Sequence, residues 1–170
     1  MPASNTYEPI ATTTLTSAVS EVSLSSIPST YTDIIVVVTA TTTADNADIQ
    51  MYFNSDNTSG LYSKTQLEGT GSTAVSGRTS GANFIGLTSN LGVDDTNPSI
   101  IILQFNNYSN TTTFKTVLSR ETMWHSGASG TALRVGLWRN TAAISSITLK
   151  VNGSTWKSGS TFTLYGIKAA

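Results

Sequence analysis

Apolar and polar residues alternate with a period of two along much of this chain, and a helical period of 3.6 hardly occurs. In Ile147-Thr148-Leu149-Lys150-Val151 the aliphatic residues share one face, while Thr148 and Lys150 share the other. Residues 161–165 repeat the pattern, with Phe162 and Leu164 on the apolar side. In residues 132–138, Leu133, Val135 and Leu137 line up on one face, predicted inward, and Trp138 points away from it. Two runs, residues 34–38 and 100–105, are apolar on both faces and predict central strands covered on both sides. The predicted core is therefore Ile34, Val36, Val38, Leu103, Phe105, Leu133, Val135, Leu137, Ile147, Leu149, Val151, Phe162 and Leu164. A core Val135 would make Val135→Asp incompatible with folding, because an unpaired buried charge costs several kcal/mol.

Turn chemistry separates these runs. Residues 54–60 (NSDNTSG) predict a loop after a strand over 49–53, and residues 126–130 divide two further strands. Asn152-Gly153 is a tight-turn dipeptide, since both residues tolerate positive φ. Residues 69–81 (GTGSTAVSGRTSG) have no apolar periodicity and predict a flexible loop. The spacing gives about nine to eleven strands and less than about 10% helix. The fold class is all-β: a single antiparallel β-sandwich, jelly-roll-like, over residues 9–170, preceded by an N-terminal arm over residues 1–8.

Composition narrows the chemistry. Of 170 residues, 29 are Thr and 24 are Ser, and only 11% are charged, with a net charge of −1. Many β-branched hydroxyl residues suit strands and resist helix. The near-neutral balance without basic clusters argues against nucleic-acid binding. With no cysteine there is no disulfide, thiolate nucleophile or Cys-ligated metal. The longest aliphatic run, 34–38, is far short of the roughly 20 residues of a membrane helix, and the N-terminus lacks a signal-peptide pattern. A soluble protein with no membrane partner is expected.

Candidate chemistry is sparse. His125 is the only histidine, so a Ser-His-Asp triad would have to use it; no Gly-x-Ser-x-Gly elbow is present, and a surface or interface role is expected. Asp94-Asp95, Asp45, Asp48 and Asp56 sit in turns, where carboxylates cap backbone amides; a calcium ion would need about six to eight oxygens. Gly69-Thr70-Gly71 lacks the third glycine and the following helix of a phosphate loop. Trp124, Trp138 and Trp156 fit either stacking platforms for sugars or a core or subunit interface, the latter being the stronger reading. No catalytic residue, cofactor or metal is assigned, and the chain is read as a non-enzyme.

Several segments resemble a group of small tailed-phage virion β-sandwich proteins, found as stand-alone decoration-type proteins and as fibre-tip domains. They are the opening Tyr7-Glu8-Pro9-Ile10-Ala11-Thr12-Thr13-Thr14, then Ile27-Pro28-Ser29-Thr30-Tyr31-Thr32 and Tyr52-Phe53-Asn54. Gly136-Leu137-Trp138, Asn140-Thr141, residues 144–149 and the closing Leu164-Tyr165-Gly166-Ile167-Lys168 extend the resemblance over nearly the whole chain. It implies a structural role on the virion exterior, most simply as a capsid decoration or cement protein bound to the major capsid protein, and a homotrimer. The absence of shaft repeats favours that role over a fibre. The alternative is a tail-fibre or head-fibre domain that recognises a host surface glycan. Expected partner or ligand contacts are Tyr7, Trp124, His125, Trp138 and Trp156.

Overall fold

The computed structural model describes residues 6–88, 92–125 and 128–168. These form β1 (Tyr7–Thr14), β2 (Glu21–Leu24), β3 (Asp33–Ala40), β4 (Asp48–Phe53), β5 (Tyr62–Gly69), β6 (Ala74–Ala82), β7 (Ile85–Gly86), β8 (Ser99–Asn106), β9 (Lys115–His125), β10 (Ala128–Trp138), β11 (Ile147–Asn152) and β12 (Thr161–Ile167). The described residues contain no helix. Every pairing is antiparallel, in an eight-stranded sheet ordered β1-β12-β3-β8-β9-β10-β5-β6 and a four-stranded sheet ordered β2-β11-β4-β7. The all-β sandwich read from the alternation is the architecture observed.

The two sheets enclose one apolar core. Ile34, Val36 and Val38 of β3, Leu103 and Phe105 of β8, and Phe162 and Leu164 of β12 face Ile147, Leu149 and Val151 of β11. All ten are buried as predicted, and Ile49, Met51 and Phe53 of β4 complete the layer. Turns fall where residues that tolerate the left-handed region occur. Asn54 (φ 52°), Ser55 (φ 57°) and Gly60 (φ 93°) shape the predicted 54–60 loop, and Gly153 (φ 69°) follows β11. Asn54 pins this loop to the β10–β11 connection. Its Oδ1 accepts the Ser145 N–H (2.8 Å) and the Ser146 N–H (3.0 Å), and its Nδ2 donates to the Ala143 carbonyl (2.8 Å).

Four expectations change. The 69–81 segment is not a flexible loop: Thr70 caps a turn by accepting the Thr73 N–H (3.2 Å), and β6 follows as an edge strand on β5. An edge strand with both faces near solvent needs no apolar alternation, so the pattern that betrays other strands is missing here. Tyr7 and Glu8, expected in the arm, belong to β1 and pair with Ile167 and Gly166; residues 1–5 lie outside the described residues. Glu8 is tied down further by Lys168 Nζ (2.8 Å) and the Tyr31 hydroxyl (3.1 Å). β3 and β8 are covered on one face only: Ile35, Val37 and Ile102 are half-buried and Ile100 is exposed.

The fourth change is the facing of β10. Leu133 and Val135 point to solvent, 43% and 50% exposed, and Leu137 is half-buried. The inward face carries Ala132, Arg134, Gly136 and Trp138 instead. Three of these four meet something that a Leu or Val side chain would not fit. Arg134 meets two carboxylates. Gly136 meets Ile85 and Val117, whose methyls would lie 2.6 Å and 2.8 Å from any Cβ built there. Trp138 enters an aromatic cluster. A period of two defines two faces, but the neighbours decide which one is covered.

Candidate functional site

The predicted contact residues are not brought together. Tyr7 is exposed at the edge strand β1, and Trp124 is 38% exposed near the end of β9, with β12, β3 and β8 between their strands. His125 ends β9 and pairs with Ala128 through the backbone; its side chain lies outside the described residues. Trp138 and Trp156 are core residues and offer no surface to a ligand. Trp138 is 1% exposed, stacks on Tyr62 at 6.3 Å and meets Phe53 edge-on at 5.5 Å. Its Nε1 donates to Asp56 Oδ2 (3.2 Å). Hydrogen bonds from Thr58, Trp138 and Asn140 outweigh desolvation, which alone would raise Asp56, and hold its carboxyl below the ordinary value. Trp156 packs edge-on against Phe162 at 5.2 Å and donates Nε1 to the Leu149 carbonyl (3.3 Å). Buried indoles need such partners for their N–H, and both have one.

Beside this cluster lies a buried ionic one. Arg134 Nη2 pairs with Glu68 Oε2 (3.1 Å), Nη1 pairs with Glu121 and donates to the Leu87 carbonyl (2.9 Å), and Nε donates to Gln66 Oε1 (3.4 Å). Ser119 Oγ donates to the other Glu121 oxygen (2.7 Å). Burial lowers the Arg134 guanidinium to about 10, opposed by Glu68, so it stays a cation at neutral pH. The strands β5, β9 and β10 thus each contribute one charge to this cluster, which ties them together through their inner faces.

The outer face of the eight-stranded sheet is the first candidate site. Cross-strand register builds rows across it. One row runs Val37, Ile102, Arg120, Leu133, Leu67; the next runs Ile35, Gln104, Leu118, Val135, Thr65, Arg78. Leu67 of β5 is 61% exposed, and Leu118 of β9 and Ile100 of β8 are exposed on the same face of the sheet. The only charges in these two rows are the cations Arg120 and Arg78. Isolated exposed aliphatics are ordinary, but a contiguous field across five strands marks an interaction surface. Sequence reasoning missed it by placing Leu133 and Val135 in the core and by reading residues 34–38 and 100–105 as covered on both faces.

The second is a cleft of about 270 Å³ where the large sheet overhangs the small one. β6 extends past the β7 edge, leaving part of the inner face of β5 and β6 open. Lys64 and Thr79 line that face; Asp48, Gln50, Gly86, Thr88 and Phe84 form the opposite wall. Burial lowers Lys64 to about 8, assisted by Arg134 and opposed by Glu68 and Asp48.

A third group, Asp45, Asp94 and Asp95, brings carboxylate oxygens within 4.8 Å of one another. Asp94 acts as the turn cap its sequence position suggests, accepting the Asp95 N–H (2.7 Å), the Asn97 N–H (3.0 Å) and Asn97 Nδ2 (2.8 Å). Desolvation would raise its carboxyl, but these donors prevail and hold it at about 2.

Among the described residues, no helix is long and apolar enough to cross a membrane. A scan against protein-family models and searches of curated proteins and of solved structures each find no match for the chain. The likeness to tailed-phage proteins rests on the sequence motifs alone.

Proposed function

We propose that the chain is a non-enzymatic structural subunit of a virion, a capsid decoration protein that binds the major capsid protein through the outer face of its eight-stranded sheet. The observation that carries the docking reading is the aliphatic field around Arg120. The virion setting comes from the sequence resemblance. Charge complementarity points to a partner of different sequence at this face. Two copies stacked face to face would oppose aliphatics and cations with no carboxylate in the two central rows to pair them, whereas an acidic side chain in an apolar partner surface would neutralise Arg120. A homotrimer, if formed as the resemblance implies, uses other surfaces. The non-enzymatic reading is supported by the state of Glu68 and Glu121, whose carboxylates are committed to Arg134 out of reach of solvent.

The test uses Val135→Asp and Arg120→Glu. Both positions face outward, so each variant is expected to be soluble and within about 0.5 kcal/mol of the parent stability by thermal melting. Binding to shells that lack the protein is expected to fall at least about thirtyfold, since burying an unpaired charge or reversing a paired one costs roughly 2–5 kcal/mol. Parent-like occupancy by both variants contradicts the proposal; an insoluble Val135→Asp contradicts the facing of β10. A second reading, a fibre domain recognising a host glycan, is favoured by Trp124, which lines an open groove with Asn97, Ser129 and Thr131. Glycan binding abolished by Trp124→Ala supports it.

A further inference from the structure

We infer that the cleft between the overhanging strand β6 and the β7 edge binds a single neutral pyranose ring. The inference is independent of the docking face, which lies on the opposite side of the large sheet. It rests on the shape of the cleft, the kinds of groups in its walls and their prior fixation.

Shape comes first. At about 270 Å³ the cleft is smaller than the roughly 300–1,000 Å³ that hold drug-sized ligands, and it suits one six-membered ring. The walls are chemically mixed. Asp48 supplies acceptors, Lys64 donors, Gln50 and the Thr79 hydroxyl both, while Phe84 contributes a half-buried aromatic ring. Each hydroxyl of a sugar also donates and accepts, and adjacent hydroxyls need neighbouring groups of opposite kinds. The apolar C–H face of a pyranose needs a ring such as Phe84. An inorganic anion would be repelled by Asp48, and a metal cation by Lys64 in its charged form.

The wall groups are held before a ligand arrives. Thr88 Oγ1 donates to Asp48 Oδ1 (3.0 Å) and accepts the Ile49 N–H (2.9 Å). Lys64 Nζ donates to the Thr88 carbonyl (3.3 Å). Gly86 leaves room for it there, since a Cβ at that position would stand 3.1 Å from Nζ. Such fixation lowers the ordering cost of binding.

The experiment is a titration of the full chain, ¹⁵N-labelled, with methyl pyranosides of glucose, galactose, mannose and N-acetylglucosamine at millimolar concentration, read by amide chemical shifts. At least one glycoside is expected to give saturable shifts centred on Gly86, Thr88 and Lys64. Asp48→Asn and Thr79→Val, both at exposed positions, should each weaken it about tenfold, while Val135→Asp leaves it unchanged. The inference is overturned if no pyranoside saturates, if the shifts centre on Trp124, if Asp48→Asn binds like the parent, or if glycine binds the cleft more tightly than every sugar, which would make it an amino-acid site. Loss of capsid binding with intact sugar shifts would overturn only the docking proposal.

Discussion

Arg134→Met is expected to destabilise the sandwich more than any other single exchange in the eight-stranded sheet. Arg134 is 1% exposed and pairs with both Glu68 and Glu121. Removing it leaves two carboxylates desolvated beside each other, and breaking a buried pair in this way costs about 3–5 kcal/mol. For a chain of this length that is a fall of roughly 6–20 °C in Tm, measurable by circular dichroism, or failure to accumulate soluble protein. Adding Glu68→Met and Glu121→Leu to Arg134→Met should recover most of the loss, because well-packed apolar replacements of a buried ionic group are often neutral or stabilising. A single Arg134→Met variant that melts within about 1 kcal/mol of the parent would mean that the three charges are not joined as described.

Trp138→Ala is expected to come next, at about 3–5 kcal/mol and a similar fall in Tm. The indole fills the space between Phe53 and Tyr62, and its N–H is the partner of Asp56. Truncation opens a cavity and unties the 54–60 loop from β10. Trp124→Ala, at a surface position, should stay within about 0.5 kcal/mol of the parent. The contrast separates the two tryptophans by thermal melting. Equal losses, or a parent-like Trp138→Ala, would contradict the placement of Trp138 in the core.

Strands whose apolar face is also the covered face were legible from the chain. Ile147, Leu149 and Val151 announce themselves, as do Phe162 and Leu164, because the four-stranded and eight-stranded sheets both bury them in aliphatic surroundings. The turns at Asn54 and Gly153 were legible for a local reason, the backbone conformations that these residues tolerate. β10 was misread for a non-local one. Leu133 and Val135 look like core in isolation, and only the cross-strand neighbours Glu68 and Glu121, distant in sequence, show why Arg134 takes the inner side. β6 was missed because an edge strand needs neither face to be apolar. The same limit hid both candidate sites. Arg120 comes beside Leu133 through strand pairing, and Asp48 comes to Lys64 through the packing of two sheets; neither pairing leaves a local motif. Of the aromatic candidates, Trp124 and Tyr7 remain at the surface, far apart, and Trp138 and Trp156 serve the core.

The absence of cysteine makes the docking claim directly measurable, since any introduced thiol is unique. Leu133→Cys places one on the outer face of the eight-stranded sheet, and Ser23→Cys places one on the exposed side of the four-stranded sheet. In the isolated protein both should react with a maleimide at similar rates. In purified particles carrying the protein, Cys at 133 is expected to be protected while Cys at 23 stays reactive. Labelling of position 133 on the particle as fast as in the free protein would contradict the assignment of this face to the capsid.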